Sequence, residues 1–458
     1  MPRVSPSSPT PVWLGRLTLE LKRLAAPVLA SRRRGLLSLS FEVPLPPQTV
    51  PAQAQGEWFF WHRPAQGHRL LGLGLAGRIT AAGSARFQAL ARAVALARSH
   101  WTFIHQGRAS PLARAFLGFA FDPDHQPGGD WQGFPNLAFL VPRVLLEWRD
   151  GGDCTITFNH DCGLRLSPER VIATWSAQLH RLLEAEPEAQ GTPPRLMSAR
   201  QVPAPGRWQA QVSDALAAIR QGRLEKVVLS RTLELAFGGA PAPAPLLERL
   251  AEDFPRCAIL GTSFGGPALV AATPERLLGL HGGQVVSDAI AGTLVDDDPR
   301  GLPAMEAYEH RPVVEAIRGA FEECCTRVTV DPAPQALELR DLAHLATQVR
   351  GTLRPEADLF ELLAALHPTP AVGGVPRDRA LRWIAATEAH SRGWYTGAFG
   401  WMGDRHRAEL AVVLRCGLLD RHRLTLYAGA GITRASDPGA ELEETASKFR
   451  PLLDRVLG

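Results

Sequence analysis

Cysteine is scarce in this chain: Cys154, Cys162, Cys257, Cys324, Cys325 and Cys416 are the only six in 458 residues. They form no CxxC pair and no disulfide-framework spacing, so a reduced, cytosolic chain is expected. Long apolar runs are missing as well. None approaches the ~20 residues that a membrane-spanning helix needs, which predicts a soluble protein. No block of one charge sign stands out, because the net charge is only +4 and the Lys and Arg residues are scattered. Nothing therefore argues for nucleic acid, and the charge supports only a mild bias toward an anionic small molecule. GxxxxGK[ST] is absent and no convincing GxGxxG is present, which leaves nucleotide folds unsupported.

What is present describes a globular chain, 45% hydrophobic and 21% charged, long enough for a large core or for two lobes sharing one. The first 34 residues are basic, with Glu20 the one acid, which raises a transit peptide. Leu14, Leu17, Leu21 and Leu24 recur at helical spacing and favour an amphipathic helix there instead. Strands are predicted over 35–43, 57–61, 70–75, 115–121, 137–147 and 155–158, with helices over 82–99 and 168–184. A proline-rich linker over 186–205 separates residues 1–195 from a motif-dense second half, 205–458. There, helices are predicted over 208–221, 303–324, 356–366 and 378–388, and strands over 225–235, 257–264, 268–272, 408–418 and 424–429. The mixture lacks a steady β-α-β repeat, so large antiparallel or mixed sheets with helices outside are expected, an α+β class.

Several segments could carry chemistry. Near the C-terminus a strand and a glycine turn, Gly429-Ala-Gly431, precede a helix opened by Asp437 as N-cap and Pro438 at N1. On that helix Glu441, Glu444 and Lys448 share one face. Two carboxylates suit a hard cation such as Mg²⁺, and the lysine with the glycine amides suits a substrate carboxylate. A surface helix with ordinary ion pairs fits the same residues. In the strand predicted over 225–235, Lys226, Val228 and Ser230 share a face. Buried, Lys226 would have the lowered pKa of a general base; at a strand edge it would be an ordinary lysine. Glu275, after the strand that Pro274 ends, could deliver a carboxyl group into a cleft or pair with the adjacent Arg276. Residues 287–293 read as a small-residue turn leading into the acidic loop 296–298. Glu306 and Glu309 offer another carboxylate pair. Arg415, among small residues on its strand face, calls for an anion, either a substrate carboxylate or an internal acid. His344 and His367, each taken alone, read as structural.

Together, and in this order, KVVLSR (226–231), TPERLL (273–278), AGT (291–293), EH (309–310), HPTPAVGG (367–374), RGWYTGAFGW (392–401) and GAGI (429–432) followed by EETASK (443–448) resemble the Mg²⁺-dependent chorismate-utilising enzymes. That family includes isochorismate, salicylate, anthranilate and aminodeoxychorismate synthases. The match is dense over 208–453, whereas the first 195 residues resemble the family only in their run of strands. The resemblance implies the chorismate-binding fold, with two interleaved halves in one large sheet sandwich and the site in the second half. It implies that Lys226 activates water for attack at C2 of chorismate and that Glu275 protonates the departing C4 hydroxyl. It makes Glu309 and Glu444 the Mg²⁺ ligands, with Glu441 in support. Arg415, Tyr395, Gly429 and Lys448 would hold substrate carboxylates, Thr293 would join the substrate-binding set, and His344 would lie close to the reacting ring. Ala371 resembles the water-using members, where ammonia users carry threonine in a GTxSG-type motif, and no glutamine amidotransferase segment is fused. The implied reaction is chorismate to isochorismate, for menaquinone or siderophore synthesis, in a cytoplasmic monomer. Salicylate synthase is the alternative, followed by a non-catalytic chorismate-binding homologue. Met305 and Glu306 depart from the family's SxKDxxEH run, and Ile290 and Cys416 replace commoner leucine and serine.

Overall fold

The computed structural model describes residues 12–31, 34–48, 56–106, 114–149, 152–184, 194–294, 309–338, 343–403 and 406–457. Met305, Glu306 and the acidic loop 296–298 lie outside them.

Alternation of side chains builds the layers. Along Glu57–Arg63, Trp58 and Phe60 pack with one set of helices, while Phe59 and Trp61 enter a different apolar cluster on the other face. This is the period-two pattern of a strand buried on both sides. Eleven strands run in register from Leu36–Val43 through Cys154–Asp161, Leu137–Trp148, His68–Ala81, Glu57–Arg63, Ala258–Phe264, Ala268–Thr273, Cys416–Asp420, Arg423–Ile432 and Lys226–Phe237 to Leu196–Val202, every pair antiparallel. A second run leaves Leu137–Trp148 through Ala115–Phe119, then Ala398–Met402, Arg407–Val412, Arg276–His281, Gln284–Leu294 and Ala343–Leu353. Strands of the two halves therefore pair directly, Glu57–Arg63 with Ala258–Phe264 and Ala115–Phe119 with Ala398–Met402.

Three apolar clusters separate the layers. Phe59, Trp61, Leu260 and Leu269 of the first run meet Phe116, Phe399, Trp401 and Ala411 of the second between the sheets. Helices Val12–Ala30, Pro168–Glu184, Pro243–Asp253 and Pro438–Leu457 cover the outer face of the first run. Helices Arg86–Ser99, Arg311–Cys324 and Leu359–Leu366 lie over the second, while Pro205–Arg220 and Arg377–Thr387 pack against Lys226–Phe237 of the first. The α+β sandwich expected from the sequence is the observed architecture.

Three expectations need correction. The strand predicted over 408–418 is two strands, Arg407–Val412 in the second run and Cys416–Asp420 in the first. Between them the chain passes from one sheet to the other, and Arg415 takes a left-handed φ of 45° at the corner. Its neighbour does the same: Ala268–Thr273 belongs to the first run, Arg276–His281 to the second, and Glu275 lies at the crossing. Strands that switch sheets at a bend are how the corner of a two-sheet packing is made. Residues 287–293 are not a turn but part of the strand Gln284–Leu294, because all of them except the bulged Gly292 pair with Ala343–Leu353. The linker stretch is also structured in part, since Leu196–Val202 adds to the edge of Lys226–Phe237.

Candidate active site

The two crossings open a cavity. It is lined by Lys226, Glu275, Glu309, His344, Ala371, Tyr395, Arg415, Gly429, Glu444 and Lys448, ten of the twelve residues singled out in the sequence. Glu441 and Thr293 are the other two. Glu441 sits one turn from Glu444 on the C-terminal helix and is 3% exposed. Thr293 stands opposite His344 in the strand pair, and its side chain lies outside the described residues.

Lys226 is the first residue of its strand and is buried, with Nζ donating to the backbone oxygen of Glu309 at 3.1 Å. Burial drives its pKa down, the Glu309 carboxylate partly opposes this, and the Lys448 charge adds to the fall. Gly431 on the facing strand makes room for it, since a Cβ there would stand 2.9 Å from Lys226 Cε. Glu275 moves the opposite way. Burial, reinforced by Asp288 and opposed by Lys226, raises its pKa to about 8. At neutral pH the cavity thus holds a carboxylic acid and a lysine biased toward its free amine, an acid and a base set apart by environment.

The cationic side chains of Arg415 and Lys448 line the cavity around this pair. Arg415 Nη2 donates to His344 Nε2 at 2.6 Å. Burial, Arg415 and Lys448 push the His344 pKa down to about 3, so the ring is neutral. Lys448 Nζ donates to the Gly429 carbonyl at 2.9 Å and pairs with Glu444 at 2.8 Å, the i,i+4 contact expected along the helix. Asp437 caps that helix, its Oδ1 accepting from the amides of Gly439 and Ala440. Tyr395 stacks on Tyr427 with ring centroids 5.3 Å apart, and both line the cavity.

Glu441 has the chemistry of a donor to a hard cation. Burial and the neighbouring Glu444 raise its pKa to about 8, and its Oε2 finds no hydrogen-bond partner among the described residues. Such an orphaned buried oxygen beside Glu444, with Glu309 close enough to act on it, fits an oxygen-coordinated metal. Among the described residues, no three candidate ligands are yet drawn together as a formed metal cluster, and Glu444 is engaged with Lys448.

Sequence reasoning missed the support beneath the cavity. Between Val227 and Thr232 the strand that carries Lys226 has no ladder partner among the described residues on the side where Gly374–Val375 and Leu196–Val202 pair with it. The buried pair Glu388–Arg392 takes over: Glu388 accepts from the Ser230 amide at 2.7 Å, and Arg392 donates to the carbonyls of Val228 at 2.7 Å and Val372 at 2.8 Å. Arg392 also lies 4.3 Å over the Phe121 ring. Its place in the motif 392–401 was the available signal, but the spacing to Glu388 reads as an ordinary i,i+4 surface pair.

A family model of chorismate binding enzymes matches residues 23–457. The isochorismate synthase MenF of Bacillus subtilis is 32% identical over 353 residues, 75% of this chain and 74% of that protein. The salicylate biosynthesis isochorismate synthase of Pseudomonas aeruginosa is 32% identical, covering 76% and 75%. Among solved structures, the menaquinone-specific isochorismate synthase MenF of Escherichia coli superposes with a TM-score of 0.78 at 26% identity, over 97% of this chain and 99% of that one. Anthranilate synthase component I of Streptococcus pneumoniae, 22% identical with a TM-score of 0.68 over 84% and 92%, shares the fold. With a family match over nearly its whole length and a buried carboxyl group and lysine lining one cavity, the chain belongs to the chorismate binding enzymes.

Proposed function

We propose that this chain is an isochorismate synthase, adding water at C2 of chorismate as the C4 hydroxyl departs. The observation that carries the reading is the pairing of a buried lysine, its pKa lowered, with a buried carboxylic acid in one cavity lined by Arg415 and Lys448. The free amine of Lys226 takes a proton from water as the oxygen bonds to C2. Both ring double bonds shift by one position, and Glu275 gives its proton to the C4 oxygen, which leaves as water, so one water enters and one departs. Arg415, held by His344, and Lys448 hold the substrate carboxylates, Gly429 lets backbone approach, and Tyr395 and Ala371 close the wall. Ala371 leaves space and no hydroxyl beside the nucleophile, which supports water as the attacking group.

Glu309, Glu441 and Glu444 would hold Mg²⁺. The ion would neutralise a substrate carboxylate and fix its orientation. Residues 205–458 form the catalytic region in this reading, and residues 1–195 supply strands to the shared sheets. No helix among the described residues is long and apolar enough to cross a membrane, and a cytoplasmic monomer serving menaquinone or siderophore synthesis is the setting proposed.

The test is incubation of the purified protein with chorismate and Mg²⁺ without ammonia, with products separated by chromatography and mass detection. Isochorismate alone is expected. Salicylate with pyruvate would replace the assignment by salicylate synthase, and unchanged chorismate would refute turnover.

A further inference from the structure

A second cleft lies behind the catalytic acid, on the side of Arg276 rather than of Glu275. It measures about 560 Å³, within the ~300–1,000 Å³ of small-molecule sites, and shares no lining residue with the catalytic cavity. Four arginines line it, Arg149, Arg276, Arg350 and Arg407, against one acid, Glu409. Three of the four are already matched: Arg149 to Glu147 at 2.6 Å, Arg350 to Asp331 at 2.6 Å, and Arg276 to Glu409 at 3.6 Å. Glu409 is itself shared with buried Arg63 at 2.9 Å, and Glu147 with buried Arg114 at 2.5 Å. Each of these two carboxylates therefore serves two guanidiniums. The Arg407 guanidinium has no hydrogen bond or ion pair among the described residues, so the cations outnumber the acids here.

The wall beside Arg407 lacks acceptors too. Trp401 lines the cleft at 6% exposure, and its Nε1 has no hydrogen-bond partner among the described residues. Arg114 lies 4.6 Å over the Trp401 ring at 5% exposure, and its Nη1 likewise has none. Arg407 is near enough to depress the Arg114 pKa. Buried donors left without acceptors are costly, and when they cluster beside an electropositive cleft the missing partner is an ion or a ligand.

We propose that this cleft is a binding site for a small anionic molecule bearing a carboxylate or phosphate group, with Arg407 and Trp401 as its principal contacts. An oxyanion seated there supplies an acceptor to Arg407 and to the indole N–H and balances the excess charge. The cleft reaches Arg276, the residue that directly follows Glu275, so occupancy is felt one peptide unit from the acid.

The experiment is isothermal titration calorimetry of the whole protein with inorganic phosphate, against chloride at equal ionic strength. Wild type is compared with Arg407→Ala, Trp401→Phe and Arg415→Ala. Phosphate is expected to bind wild type and Arg415→Ala alike, with at least a tenfold rise in Kd for Arg407→Ala and a several-fold rise for Trp401→Phe. Two results overturn the proposal. One is phosphate heat no greater than that of chloride. The other is binding lost in Arg415→Ala and kept in Arg407→Ala, which places phosphate in the catalytic cavity; Trp401→Phe, which leaves every charge intact, checks that a loss in Arg407→Ala is local.

Discussion

Arg415 donates to Nε2 of His344 across 2.6 Å, and this one contact joins the first sheet run to the second at the floor of the cavity. It also assigns the tautomer. Nε2 accepts, so the ring proton is on Nδ1, where the Gly292 carbonyl takes it. A neutral imidazole buried beside a guanidinium does not trade protons near neutral pH. It holds Arg415 in place.

His344→Ala should therefore raise KM about tenfold while lowering kcat less, the pattern of lost binding rather than lost transition-state contact. Both limbs of the pH–rate profile should remain where wild type has them. Disappearance of either limb would make His344 a proton carrier and defeat this assignment.

Glu275 is expected to set the alkaline limb of the pH–rate profile. Its carboxyl is protonated up to about pH 8 in the fold, so kcat should fall as pH rises through that value. Stability follows the same group. Because its folded pKa lies above the unfolded one, the folded state binds more protons between about pH 4.5 and 8, and stability declines across that window. The loss is on the order of 5 kcal/mol and is complete above it. Glu275→Gln should abolish turnover and, in urea titrations at pH 9, be more stable than wild type. Equal stability at pH 9 would show that the acid is not held protonated by burial.

Lys226→Ala should remove hydration while chorismate still binds. Gly431→Ala is the subtler probe, since the new methyl meets Lys226 Cε at 2.9 Å and Nζ at 3.5 Å, the mobile end of a side chain. It should cost about 1 kcal/mol or less in stability, because the lysine can yield. The displaced amine should lower kcat roughly tenfold to a hundredfold. Unaltered kcat would mean that Lys226 has no fixed place in the reaction.

The Glu388–Arg392 pair predicts a separation between conservative and disruptive changes. Arg392→Ala leaves Glu388 buried without its cation and should destabilise by roughly 3–5 kcal/mol. Arg392→Lys keeps the charge but cannot reach the Glu388, Val228 and Val372 oxygens together. It should fold, retain KM and lose kcat, because the strand behind Lys226 and the turn at Ala371 both loosen. A kcat equal to wild type in Arg392→Lys would reduce the pair to a purely structural element.

Much of this was legible in the chain. Alternating apolar residues announced most strands, Asp437 and Pro438 the start of the last helix, and the ordered motifs ten residues that now line one cavity. What the sequence could not show follows from contacts made across distance. Whether Lys226 was a strand-edge cation or a buried base depended on Gly431 and the Glu309 carbonyl, 205 and 83 residues away along the chain. The stretch 408–418 reads as one strand because period two continues through it, yet its hydrogen-bond partners change at Arg415 from Arg276–His281 to Ala268–Thr273. Residue types and their order were thus determined locally, and with them the candidate acid, base and carboxylate ligands. The pKa values that make an acid of Glu275 and a base of Lys226, and the corner where two strands change sheets together, were decided only by tertiary structure, because desolvation and cross-sheet pairing exist only once the chain has folded.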